Sequence, residues 1–276
     1  MNYEPPSGRS IEPAATSRFD GVDLLRGLSI IAVVLLHAQI RLLFSYDVSI
    51  QPLLPRELMH VLFWQGSNGV TVFFAISGFL ITFTSLRRFG SLARMRAAAF
   101  YRIRFARIAP LLLLLLAVLS LLHLIHADGF RIKPSCGTLP EALFAALTFR
   151  INWFEAVHGF LPANWDVMWS LSVEEMFYLF FPLVCLALLR MRRGMLLFIP
   201  VLLIFVGMGP FARTVWTSNE IWRENSYLGG MSGIALGCLT ALLAGWMQRT
   251  IPRWMTARLQ LALQLAGALV MAVIVL

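Results

Sequence analysis

Long apolar runs separated by short polar, arginine-bearing stretches organise this chain. Seven runs, at approximately 23–43, 69–86, 108–126, 170–189, 195–211, 227–247 and 259–276, reach or approach the roughly 18 residues of a spanning helix. The pattern predicts an all-α fold, a polytopic transmembrane helical bundle. Residues 139–155 also read as helical but hold Glu141, Arg150 and Glu155. We place them in an external, interfacial or re-entrant element, because a crossing there would invert every later loop; a true crossing is the alternative. Residues 1–18 are polar and Pro-rich, expected as a flexible cytoplasmic tail, with 19–276 forming the transmembrane domain. The last run is still apolar at Leu276, so C-terminal spans are expected to be missing.

Composition supports the same class. Hydrophobic residues make up 59% of the chain, with a mean hydropathy of +0.76, more than a soluble core needs. The net charge of +9 does not mark a nucleic-acid binder, because the arginines flank apolar runs and form no basic domain. They set orientation instead. Seven arginines and no acid lie between Arg87 and Arg107, which predicts a cytoplasmic loop and a cytoplasmic N-terminus. Arg190, Arg192, Arg193, Arg249, Arg253 and Arg258 fall on the same side, while Asp47, Glu57, Asp128 and Asp166 fall outside. Cys136, Cys185 and Cys238 have no metal or disulfide spacing, and no metal site is expected.

Four segments carry candidate chemistry. In the first span, Arg26 and His37 are eleven positions apart. That returns them to within about 20° of one helix face and separates them by roughly 16 Å along the axis. Ionisable groups inside a span mark functional sites by default. Asp23 is placed to pair with Arg26, and His37 has the near-neutral titration that suits a general base for a hydroxyl nucleophile. Snorkelling of Arg26 to the interface and an interhelical bond from His37 are the plainer alternatives. In the second span, Thr71, Ala75, Gly78 and Thr82 make a narrow small-residue face, suited to close approach by another helix. Ser77 has no base near it in sequence, which argues against a nucleophile. Arg104 and Arg107 share one face and suit a fork for an anionic ligand such as nucleotide phosphates, or plain positive-inside signalling. In Trp169-Ser-Leu-Ser-Val-Glu-Glu-Met-Phe-Tyr178, Ser172 and Glu175 match a capping box. Glu174 lies on one face with Ser170 and Tyr178, at the outer end of its span, where a carboxylate suits orienting an imidazole or binding a sugar hydroxyl. His60, His123, His126 and His158 read as solvated or hydrogen-bonded near outer interfaces. Residues alone leave open a transporter of a polar or glycan substrate, with Arg26 and His37 lining its path.

The ordered set Asp23-x-x-Arg26-Gly with His37, Gly69-Val-x-Val-Phe-Phe-x-Ile-Ser77-Gly78-Phe-Leu-Ile, Arg104-x-x-Arg107-Ile-x-Pro110 and Trp169-Ser-Leu-Ser-Val-Glu174-Glu175-x-Phe-Tyr178 resembles the acyltransferase 3 family of integral membrane O-acyltransferases. The resemblance covers about residues 18 to 190. Beyond 195 it rests on apolar pattern and on Tyr227-Leu-Gly-Gly-Met-Ser-Gly-Ile-Ala-Leu-Gly237. Met176 stands where the family often has Gln. The resemblance implies transfer of an acyl group, often acetyl, from acyl-coenzyme A to a carbohydrate or other hydroxyl acceptor at a bacterial inner membrane. Acyl-coenzyme A is then a donor substrate, and no permanently bound cofactor is expected. Partners are donor, acceptor and lipid bilayer, with no nucleic acid. On this reading Arg104 and Arg107 hold the coenzyme phosphates, Arg26 guides the thioester arm, His37 deprotonates the acceptor, and Glu174 orients His37 or the acceptor. A non-catalytic truncated remnant is a further alternative.

Overall fold

The computed structural model describes residues 20–46, 55, 66–214 and 218–250, and every regular element among them is helical. The helices are α1 (Asp20–Tyr46), α2 (Gly66–Phe89), α3 (Ala97–Leu124), α4 (Leu139–Leu147), α5 (Ile151–His158), α6 (Ala163–Asp166), α7 (Met168–Leu189), α8 (Gly194–Thr214), α9 (Glu220–Asn225) and α10 (Tyr227–Thr250). Among the described residues, six stretches are long and apolar enough to cross a membrane: Gly21–Leu43, Gly66–Phe89, Ala97–Leu124, Asn164–Leu189, Gly194–Thr214 and Glu220–Thr250. The all-α bundle expected from the sequence is therefore present. The seventh expected span, 259–276, and His60 lie outside the described residues.

Two boundaries differ from expectation. α3 begins at Ala97, not near 108, because the run Ala97-Ala-Ala is strongly helix-forming and precedes the apolar stretch without a break. Arg102, Arg104 and Arg107 thus sit inside a helix, and Pro110 lies in its interior. Residues 139–155 form the two short helices α4 and α5, separated by Thr148–Arg150. At about 1.5 Å rise per residue, neither reaches the roughly 30 Å of a hydrocarbon core.

The centre of the bundle is the crossing of α2 and α10. Gly229, Gly233, Gly237 and Ala241 repeat every four residues along α10. A Cβ on Gly237 would collide with the Ala75 carbonyl, one on Gly233 would meet Phe74 and the Thr71 carbonyl, and one on Gly78 would collide with the Ile234 carbonyl. The small face expected on the second span is this contact surface. α1 lies along α2 in the same way, over Gly66 and Gly69. α8 meets α10 where Gly209 faces Ser232. Around the crossing, Phe74, Val173, Phe177, Phe181, Phe198 and Ile234 form one core. A second core joins Leu112, Leu116 and Leu119 of α3 to Ala142, Ala145, Ile151 and Trp165. Leu111, Leu113, Leu114 and Leu121 on the rest of α3 are exposed, as a lipid-facing surface requires.

The two ends differ in chemistry. At one end Arg190 Nε donates to the Ala93 carbonyl at 3.4 Å, tying the α2–α3 and α7–α8 connections together. Arg192, Arg193 and Arg249 line a cleft there. The opposite end is capped by α4, α5, α6 and α9. Thr138 donates from its backbone and its hydroxyl to Glu141 Oε2, at 2.8 and 2.7 Å, starting α4. These bonds hold the Glu141 carboxyl below the usual carboxylate range. Asn152 Nδ2 donates to the Asn225 carbonyl at 3.2 Å, Asn219 Nδ2 to the Ala156 carbonyl at 2.7 Å, and Tyr227 to the Phe149 carbonyl at 2.7 Å.

Gly237→Ala should force the two central helices apart and cost roughly 1–3 kcal/mol. Gly245→Ala on the same helix meets nothing within 4 Å and should be neutral or slightly stabilising. Thermal unfolding of both variants in detergent reads the difference, and equal midpoints would refute a backbone-tight crossing.

Candidate active site

A buried polar cluster lies halfway through the bundle. Ser77 on α2 donates to Glu174 Oε1 on α7 at 2.5 Å. Tyr178, one turn further along α7, is buried beside them. Arg104 on α3 donates from Nη2 to Glu175 Oε1 at 2.7 Å, and its guanidinium stacks 3.8 Å from the centre of the Tyr178 ring. Arg104 Nε is buried without a protein acceptor, so one charged donor is unused. Arg104 and Arg107 both act electrostatically on Glu174. They also line a cavity of about 140 Å³ with Ile81, Ser85, Arg88 and Phe100, between α2 and α3 on the arginine-rich side. The cavity joins an apolar wall to three guanidinium groups, an arrangement suited to an anion carrying an apolar arm.

His37 lies apart from this cluster. It is half-buried on α1, and Nδ1 donates to the Val33 carbonyl at 2.9 Å. That bond places the proton of the neutral ring on Nδ1 and leaves the Nε2 lone pair for a substrate. His37 acts electrostatically on Asp166, at the end of α6. Asp166 also acts electrostatically on Glu155, whose Oε1 accepts the Leu161 backbone N–H at 3.1 Å. Glu155 is fully buried. Burial, and then the neighbouring Asp166 charge, push its carboxyl well above the usual carboxylate range.

The residues expected from sequence therefore fall into three places. Arg104, Arg107 and Glu174 come together, with Ser77, Glu175 and Tyr178. His37 stands nearer the capped end. Arg26 pairs with Asp23 at 3.5 Å, both about 40% exposed, as their spacing suggested. Glu174 bonds to Ser77 on α2, and among the described residues no hydrogen bond joins it to His37. α7 starts at Met168 and is preceded by α6, which sets Glu174 deeper, against Ser77. The Ser172–Glu175 capping box is also replaced: Ser172 Oγ donates to the Met168 carbonyl at 3.1 Å, and Glu175 is drawn to Arg104. The capping box occurs at Thr138–Glu141, where the same spacing stands before a helix. His123 Nδ1 accepts the Ile132 N–H at 3.0 Å, and the His158 ring stacks on Phe154 at 4.4 Å. Sequence reasoning missed Glu155 and Asp166 as a pair. They are eleven residues apart across a loop, with no periodic relation.

Comparison with known proteins gives the same family. The family described as "Acyltransferase domain" matches residues 19–276. A Staphylococcus aureus strain COL protein, provisionally named an O-acetyltransferase, is 25% identical over 179 residues, covering 61% of this chain and 25% of that protein. The O-acetyltransferase OatA of S. aureus strain NCTC 8325 is 25% identical over 176 residues, covering 62% of this chain and 25% of the relative. The match thus spans about a quarter of the length of these curated relatives. No solved structure matches the chain.

Arg104→Ala would leave Glu175 buried without its counter-charge, a change that costs roughly 3–5 kcal/mol. Adding Glu175→Ala should recover most of that loss. Unfolding midpoints across the double-mutant cycle measure the coupling, and strictly additive single losses would show that the two groups do not stabilise each other.

Proposed function

Because the chain belongs to the acyltransferase 3 family, we propose that it moves an acyl group, most simply acetyl, from acyl-coenzyme A to a hydroxyl of a cell-surface or lipid-linked carbohydrate. The observation that carries this reading is the spatial division of the polar groups. Arg104 and Arg107 line a cavity on the arginine-rich side, while His37 stands toward the capped end with Nε2 unoccupied by the Val33 bond. Positive-inside orientation turns the arginine-rich end to the cytosol, where acyl-coenzyme A is made. Donor phosphates then meet Arg104 and Arg107, and the unused Arg104 Nε–H is one of their donors. Arg26, near the N-terminal end of α1, supplies a further cation along the donor path once it leaves Asp23.

In this reading Nε2 of His37 takes the proton of the acceptor hydroxyl. The oxygen attacks the thioester carbonyl carbon, the carbon–sulfur bond breaks, and the departing thiolate takes the proton from His37. An ester and the free thiol of coenzyme A result, with His37 neutral again. Glu174 has its own bond to Ser77 and lies in the field of two arginines, so it acts on the donor side and not on His37.

General-base catalysis is worth roughly 10²–10⁴-fold, so His37→Ala should lower turnover by about that factor with expression intact. Arg107→Gln should raise the KM for acetyl-coenzyme A by roughly tenfold while leaving kcat nearly unchanged, since a hydrogen bond to a charged group contributes about 1.5–3 kcal/mol. Thiol release and label transfer from acetyl-coenzyme A to glycan acceptors, measured in membranes, check both. Near-normal transfer by His37→Ala would overturn the base assignment. Acceptor flux without thiol release would favour a transporter.

A further inference from the structure

The arginine-rich end holds a second cavity, which the acyl-transfer reading leaves unused. It is the cleft lined by Arg192, Arg193 and Arg249, with a volume of about 540 Å³. It shares no lining residue with the smaller cavity at Arg104 and Arg107. The two lie on different faces of the end of α2: Ser85 and Arg88 border the smaller one, Leu86 and Gly90 the cleft.

The backbone around the cleft is held in place. The α7–α8 turn is closed by the Met191 N–H on the Leu188 carbonyl and by the Gly194 N–H on the Met191 carbonyl, both at 3.0 Å. A Cβ on Gly194 would collide with the Leu188 carbonyl, so this tight turn admits no side chain there. Arg190 ties the turn to Ala93 of the α2–α3 connection. Ser91 Oγ in that connection accepts the Ala93 N–H at 3.1 Å, which leaves the hydroxyl proton to donate into the cleft. Arg192 and Arg193 are thus carried on a fixed turn, in one cleft with Arg249 from the last turn of α10. Among the described residues the ion pairs join Asp23 to Arg26 and Arg104 to Glu175, and no carboxylate lines this cleft.

The walls are graded in polarity. On α10, Leu242 and Arg249 both line the cleft. They are two turns apart on one face, about 10 Å along the axis, with the apolar residue deeper and the cation at the helix end. The start of α8 repeats the gradient: Arg192 and Arg193 precede it, and Met195 and Leu196 line the cleft from its first turn. Leu196 is 68% exposed and continues through Ile199 and Leu203 as an exposed apolar stripe of α8. Trp246 near the end of α10 is exposed as well, as interfacial aromatics are. A soluble anion would use the guanidinium groups and leave the apolar walls wet. A neutral lipid would cover the walls and leave three cations without counter-charge. A lipid with an anionic headgroup satisfies both, and basic pockets between spans on the cytoplasmic side recognise such headgroups.

We propose that this cleft binds an anionic phospholipid, with the phosphate among Arg192, Arg193, Arg249 and the Ser91 hydroxyl and one acyl chain along Leu196, Ile199 and Leu203. The lipid is held and not consumed, so the site is separate from the acyl-transfer reading.

The test uses the full chain purified in a neutral detergent and offered an equal mixture of phosphatidylglycerol and phosphatidylcholine with the same acyl chains. Native mass spectrometry counts the lipids retained. Each arginine beside an anionic headgroup contributes about fivefold to binding, so the wild-type chain should prefer phosphatidylglycerol by roughly a hundredfold, and Arg192→Gln/Arg193→Gln/Arg249→Gln should abolish the preference. Arg94→Gln/Arg96→Gln/Arg102→Gln removes three charges from the same end but outside the cleft and should keep it. If the cleft triple variant does not accumulate, Arg249→Gln alone should lower the preference about fivefold. Neither inorganic phosphate nor coenzyme A should displace the bound lipid. No wild-type preference, or equal losses in the two triple variants, would overturn the proposal. Displacement by inorganic phosphate would make the cleft a free-anion site, and displacement by coenzyme A a donor site; either result overturns the lipid assignment. Thiol release from acetyl-coenzyme A in the same preparations tests the acyl-transfer reading separately, and its failure leaves the lipid result standing.

Discussion

Backbone-to-backbone contact between α2 and α10 is the constraint on which the other placements depend. Helices in lipid gain little from burying apolar side chains against one another, so close packing across small residues supplies much of their association. Here Gly78 meets the Ile234 carbonyl, and Gly233 and Gly237 meet the carbonyls of Thr71 and Ala75. The contact is also next to the chemistry. Ser77 precedes Gly78, so the same crossing that closes α2 on α10 fixes Ser77 opposite Glu174. A bulkier residue at the crossing would move the polar cluster along with the helix.

The described residues hold two polar centres. The mid-bundle centre joins two arginines, two glutamates, a serine and a tyrosine drawn from three helices. The capped end brings two acids, Glu155 of α5 and Asp166 of α6, into electrostatic contact. The mid-bundle groups neutralise one another at short range, which makes them tolerable in an apolar interior. At the capped end burial pushes the Glu155 carboxyl above the usual carboxylate range, toward its neutral form. These are different physical solutions: the first leaves cations near a cavity, the second lowers its charge by burial.

Much of this was legible in the chain. Apolar runs gave six of the spans, the spacing of Thr71, Ala75, Gly78 and Thr82 gave the contact face, and the three-residue interval gave the Asp23–Arg26 pair. The fork of Arg104 and Arg107 was also readable, since both arginines stand on one strip of one helix. Long-range partners were not. Ser77 and Glu174 are 97 residues apart, and Arg104 and Glu175 are 71 apart. Periodicity orders side chains on one helix and is silent about which helix stands opposite. The misread capping box has the same origin: Ser172 and Glu175 have the right interval, but α7 starts at Met168, so the serine is interior and the glutamate finds an arginine.

The state of Arg104 has a consequence for selectivity. Its guanidinium is already engaged on two sides, by the Glu175 carboxylate and by the Tyr178 ring, with Nε as its spare donor. An incoming anion therefore does not fill an empty site; it exchanges with an internal one. Chloride or a lone carboxylate offers little beyond what Glu175 already provides. A ligand with several anionic oxygens can use Nε, Arg107 and Arg88 together and so compensate for loosening the internal pair. On the proposed reading of this cavity as the donor site, the resident glutamate would act as a threshold, favouring polyanions over simple salt.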